Sequence, residues 1–150
     1  MTSVPNAIAA IESALGEMRA LYARLDAELA HYVRPCRADG ECCRFGPGKP
    51  VLYLTFLEAA MMLASGRDTE PSPDSPNACP YLDGGRCGIR EGRALGCRTF
   101  FCDSVFEEQR CLIHEKFLRE IRTVEAKFQV PHFYRPLAEA LREAARLCRS

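Results

Sequence analysis

The chain has 150 residues, 47% of them apolar, and its 20 basic and 20 acidic residues cancel to a net charge of zero. That apolar content can bury a core of its own, so one domain over 1–150 is expected. No basic stripe survives on any segment, which disfavours nucleic-acid binding by phosphate neutralisation. The longest apolar run, around Val51 to Ala64, is broken by Glu58 and too short to span a bilayer.

The opening MTSVPNAIAAIESALGEMRA has no early Lys or Arg and turns acidic at Glu12, so it reads as a helix and not as an export signal. Ile8, Ile11, Leu15, Met18, Tyr22, Leu25, Leu29 and Tyr32 recur at steps of three and four, a heptad seam that predicts a helix from about Asn6 to Val33. Pro35 stops it. Such a seam packs either on another helix of the same chain or on a second copy, which would give a homodimer through the N-terminal helix. Val51 to Leu54 is β-like and leads into Thr55-Phe-Leu-Glu58, a capping-box pattern that opens a helix through Ala64, with Gly66 as its stop. The Pro/Ser stretch Glu70 to Pro76 reads as an exposed loop. Cys79 and Cys87 flank a tight turn centred on Asp83-Gly84-Gly85. Ser104-Val-Phe-Glu107 is a second capping-box pattern, before a helix with Phe106, Ile113, Phe117, Ile121, Val124 and Phe128 on one side. A last helix follows Pro136, with Leu137, Leu141, Ala144 and Leu147 inward. The expected fold is mostly α: an N-terminal helix over 6–34, an irregular cysteine-rich metal-binding centre over 36–102 with at most a short β-hairpin, and C-terminal helices over 104–148.

Seven of the nine cysteines fall in that centre, in three clusters: Cys36, Cys42 and Cys43; Cys79 and Cys87; Cys97 and Cys102. No histidine lies among them. Disulfides or metal would account for such density. The expected compartment is the reducing cytoplasm, where clustered thiols bind metal or do redox chemistry, and an odd count cannot pair completely within one chain. Metal is therefore the expectation. Thiolates that repel one another converge on a soft cation or an iron–sulfur core only from turns, and every cluster has glycines beside it, among them Gly40, Gly84 and Gly96. The adjacent pair Cys42 and Cys43 faces opposite ways in extended backbone but reaches one centre from a turn. Four thiolates satisfy one zinc or one [4Fe–4S] cluster, so the count alone leaves the metal open. Phe45, Tyr81, Phe100 and Phe101 are either a low-dielectric shell around the centre or ordinary core.

These residues carry a resemblance. Cys36 with Cys42-Cys43, then Leu54-Thr-Phe-Leu-Glu58, Cys79-Pro-Tyr-Leu, Cys87-Gly-Ile and Arg93-Ala-Leu-Gly-Cys97-Arg-Thr-Phe-Phe-Cys102 are similar to the YkgJ-type cysteine-cluster family, described as zinc- or iron-chelating and often labelled iron–sulfur-containing. The resemblance covers about Cys36 to Cys102 and says little about the terminal helices. It implies these seven cysteines as metal ligands. Asp39 stands where the family's opening has a cysteine, which makes it a further candidate ligand. Ala94 replaces a usual proline and Arg90 a usual tyrosine. Relatives are linked to flagellin lysine methylation, which implies that the module can support protein modification, although no cofactor motif here carries that activity over.

Outside the clusters, Cys111 and His114 are spaced so that both can face one metal from a helix. Cys148 reads as a free thiol or packing residue, and His31 and His132 as structural or solvated. Glu58 reads most simply as a capping residue, the alternative being a catalytic or supporting role at the centre, and Arg98 either offsets thiolate charge or donates to a sulfur, or else lies on the surface. No Ser/His/Asp set, phosphate loop or dinucleotide fingerprint occurs. The sequence thus favours a protein ligating an iron–sulfur cluster or iron, for redox or protein-modification chemistry. Its alternative is a structural zinc module mediating protein–protein contact. A protein partner is expected, and neither nucleic acid nor membrane.

Overall fold

The computed structural model describes residues 4–32, 51–66, 79–83, 86–99 and 106–149. Cys36, Asp39, Cys42, Cys43 and Cys102 lie outside these residues, as do Phe45, Phe100, Phe101, Ser104 and the 70–76 loop. Of Cys87 only the backbone is described. The described chain is mostly helical, as its sequence leads one to expect.

Helix α1 runs Val4–Leu29 and ends earlier than the seam suggests. The chain tightens there, with Tyr32 N–H donating to Leu29 O at 2.8 Å, and the Tyr32 ring leaves the seam to meet Phe106 edge-on at 5.5 Å. Ala14 and Leu21 are buried along with Leu15, Met18, Tyr22, Leu25 and Leu29, while Ile8 is exposed. The stripe is wider than a two-position coiled-coil seam and has the breadth of a helix facing a globular core. Its cover is α4, Glu107–Phe128, from the same chain. Ion pairs Arg24–Glu120 at 2.9 Å, Lys116–Glu28 at 3.1 Å and Lys127–Glu17 advance along α1 as they retreat along α4, so the two helices are antiparallel. Ile113, Phe117, Ile121 and Val124 supply the facing side of α4.

The N-terminus of α4 corrects one expectation. Phe106, placed inward by periodicity, is exposed and is itself the residue before the helix, in left-handed backbone at φ 62° without a side-chain cap. Glu107 is the first helical residue. A bulky residue in that conformation costs about 1–3 kcal/mol, and its ring contact with Tyr32 offsets part of it.

Strand β1, Tyr53–Thr55, gives way directly to α2, Phe56–Ser65. The capping box forms as the sequence predicts: Thr55 Oγ1 accepts from Glu58 N–H and Glu58 Oε2 from Thr55 N–H. Seven consecutive residues, Phe56 to Met62, are buried, because α2 is flanked by α1 on one side and by α5, Leu137–Arg149, on the other. The predicted hairpin is present as β2, Leu82–Asp83, paired with β3, Arg86–Cys87, in register Leu82↔Cys87. A second antiparallel pair joins β1 to β4, Tyr134–Pro136, and stacks Tyr53 on Tyr134 at 5.4 Å. Leu137, Leu141 and Ala144 face inward as expected, and Leu147 packs at the edge of the core.

The hairpin segment is fastened to the end of α2 through small residues. A Cβ on Gly66 would fall 2.5 Å from Tyr81 Cε1, and one on Gly92 would fall 2.1 Å from Ser65 Oγ. Gly92 closes a 3₁₀ turn, Arg90–Gly92, before α3, Leu95–Thr99. No helix among the described residues is long and apolar enough to cross a membrane.

Because Leu25 is fully buried at the α1–α4 junction, Leu25→Ala is expected to lower unfolding free energy by about 2–5 kcal/mol in denaturant titration.

Candidate functional site

Cys97 sits in the middle of α3, a helix too short to hold its own position by apolar packing alone. Polar bonds to three other helices fix it. From α2, Glu58 is fully buried, and its Oε1 accepts the N–H of Leu95 at 2.9 Å while Oε2 holds Thr55 N–H at 2.8 Å. One carboxylate therefore starts two helices. Burial raises the Glu58 pKa, and the bonds from Thr55 and Leu95 work against that rise.

From α1, Asp26 Oδ2 takes the Nη1 of Arg98 at 2.7 Å. The Arg98 side chain is 3% exposed. It also donates to Arg93 O at 2.8 Å and to Glu91 O, so its charge is spread over the turn that precedes α3. Its guanidinium lies 4.0 Å above the ring of Tyr22. Of the two sequence readings of Arg98, the surface arginine is excluded; its direct partners are a carboxylate, two carbonyls and an aromatic face.

From α4, His114 Nδ1 lies 2.9 Å from Thr99 Oγ1. Thr99 Oγ1 also bonds Leu95 O at 3.0 Å. With the single hydroxyl hydrogen assigned to that carbonyl, Nδ1 is the donor and Nε2 keeps its lone pair. Burial lowers the His114 pKa, against a smaller opposing influence of Glu115.

Tyr22, under the Arg98 guanidinium, is the α1 side of this junction. It is buried, and its hydroxyl has no hydrogen-bond partner among the described residues. Burial first, then the Glu58 carboxylate, hold its pKa well above the usual phenol value; Cys97 and Asp26 act in the same direction and Arg98 against it. Sequence reading placed Tyr22 only on the heptad seam. The available signal was Asp26, an acidic residue one turn after a seam tyrosine.

Cys79 is buried within the core beside Tyr81, and Cys97 packs against that core. Gly88 N–H donates to Tyr81 O at 2.8 Å, which closes the base of the hairpin that carries Cys87. Cys111 is an exposed free thiol, whereas His114 turns toward α3. Cys148 is a half-buried free thiol whose pKa burial raises. His132 Nδ1 pairs with buried Glu125 at 2.6 Å, and His31 is exposed. Among the described residues, no group of three or more His, Cys, Asp or Glu side chains converges to hold an ion.

No protein-family model matches the chain, no curated protein matches it, and no solved structure matches it.

Two outcomes are expected. Glu58→Gln turns an amide N–H₂ toward one of two backbone donors and should cost about 1–3 kcal/mol in denaturant titration. His114, with its folded pKa below the ordinary value of about 6.5, binds fewer protons folded than unfolded. Its contribution is complete above pH 6.5 and is lost as pH falls through the window between 6.5 and the lower folded value. In unfolding titrations over that window, His114→Gln should show a shallower rise of stability with pH than the parent protein.

Proposed function

We propose that the Cys36–Cys102 segment ligates an iron–sulfur cluster or iron, with Cys36, Cys42, Cys43, Cys79, Cys87, Cys97 and Cys102 as the sulfur donors. The observation that carries this reading is the anchoring of α3. A five-residue helix bearing Cys97 is pinned by a buried carboxylate, a buried guanidinium and a threonine–histidine contact to α2, α1 and α4. Ligands on rigid, hydrogen-bonded supports can hold a metal with little reorganisation. The donor chemistry fits the group as well. Thiolates are the usual ligands of iron–sulfur centres, and Arg98, the residue after Cys97, is a buried cation.

An iron–sulfur centre would supply one-electron transfer. The chain's own residues set its surroundings: Glu58 and Arg98 hold the α3 ligand in place, and the core around Cys79, Tyr81 and Leu95 limits water. Low dielectric and hydrogen bonds to sulfur tune the potential of such a centre. Modification of a protein partner is a use of the same centre that follows from the YkgJ-type resemblance.

Anaerobic purification tests the reading. Brown protein with stoichiometric iron and sulfide is expected, with iron content falling in Cys97→Ser. Colourless protein with stoichiometric zinc would replace the redox function with a structural one. Protein without iron or zinc, its central thiols oxidised in pairs, would remove the metal reading altogether.

A further inference from the structure

We infer that Glu125 and His132 form a proton-operated latch: one proton shared between them keeps the 129–133 connection closed on the start of α2, and its loss as pH rises opens that connection. The device lies outside the cysteine segment and is independent of the metal reading above.

The first support is how Glu125 is held. It lies in the last turn of α4 and is buried. Its carbonyl accepts Val130 N–H at 3.2 Å across Gln129, which is left-handed at φ 51°. Its Oε2 lies 2.6 Å from His132 Nδ1, a distance typical of a charge-assisted bond. The backbone N–H of Leu57, in the first turn of α2, also favours charge on this carboxylate. The next residue of the connection, Phe133, meets Phe56 at the start of α2 edge-on at 6.0 Å. The end of α4, the start of α2 and the chain between α4 and β4 therefore converge on one side chain.

The second support is an imbalance. Glu125 Oε1 is buried and has no hydrogen-bond partner among the described residues. A buried carboxylate with one bare oxygen is costly, and the cost falls when the pair holds a proton. The neighbouring charges do not cancel it. Arg122, one turn back on α4, favours the charged form, but the second buried carboxylate, Glu58 of α2, is close enough for the two to repel.

The third support is access. The His132 side chain is 62% exposed and that of Glu125 only 3%. The imidazole is thus the route from water to the buried carboxylate, and the part that can swing away from it. The sign follows from burial, which raises the Glu125 pKa in the closed form. Open and hydrated, the same group titrates near its ordinary value of about 4.3. The closed form therefore binds more protons than the open one, and its advantage is complete below the ordinary value and lost as pH rises through the raised one.

The test is amide hydrogen exchange of the full chain from about pH 5 to about pH 8, corrected for the intrinsic pH dependence of exchange. The Val130 and Leu137 amides, bonded to Glu125 O and Leu52 O, report the connection, and the Leu25 and Phe117 amides report the α1–α4 core. In the parent protein the opening constant at Val130 and Leu137 is expected to rise with pH, by at most about tenfold per unit for one proton, while the core amides stay protected. Glu125→Gln keeps an acceptor for the imidazole and removes the titrating group, so its connection should stay closed at every pH. His132→Ala should open the connection at the lowest pH to the level that the parent reaches at the highest. A pH-independent opening constant in the parent would overturn the latch, and so would a pH dependence that survives in Glu125→Gln. Full protection of the connection in His132→Ala would overturn His132 as its partner. A parallel loss at Leu25 and Phe117 would overturn it as well, because the event would then be global unfolding.

Discussion

A carboxylate taken out of water must be given hydrogen-bond donors, and Glu58 is given two that belong to different parts of the fold. Thr55 N–H closes the start of α2, and Leu95 N–H brings the start of α3 to the same point. A side chain with no solvent around it has few other places to bond, which makes the junction specific. The strand β1, the helix α2 and the cysteine-bearing α3 are thereby referenced to one buried group. Much else follows from that position: the Arg98 guanidinium comes to rest on Asp26 and Tyr22 of α1, and Thr99 meets His114 of α4.

Two kinds of force divide the molecule. The α1–α4 and α2–α5 pairs are held by broad apolar stripes, where area buried matters more than any one contact. The region between them is held by few and directional bonds, with glycines at 66 and 92 allowing the hairpin and the 3₁₀ turn to approach the end of α2. Apolar packing tolerates small shifts. A carboxylate bonded to two N–H groups and a guanidinium shared among a carboxylate and two carbonyls do not, and that is the stiffness suited to holding a ligand in a defined place.

Charge in this region is gathered at Arg98. Its cation is balanced by Asp26 and lies against the Tyr22 ring, which ties the short helix to α1. Surface pairs such as Arg24–Glu120 contribute little individually to stability but mark the antiparallel order of α1 and α4.

Local chemistry was legible in the residues themselves. The Thr55/Glu58 box, the α1 stripe, the inward faces of α4 and α5 and the Cys79–Cys87 hairpin all arise from interactions within a few positions, and each was predicted from spacing alone. Phe106 marks the limit. Helical periodicity placed it inward, yet the residue leaves helical backbone to meet Tyr32, a contact from the far end of another helix. The β1–β4 pairing, the second oxygen of Glu58 and the burial of Arg98 were invisible for the same reason: their partners lie tens of residues away. Sequence by itself determined a mostly helical chain with its cysteines gathered between helices. Tertiary structure alone decided which polar groups hold the short helix that carries Cys97, because a desolvated charge takes its partner from whatever the fold brings within hydrogen-bond reach.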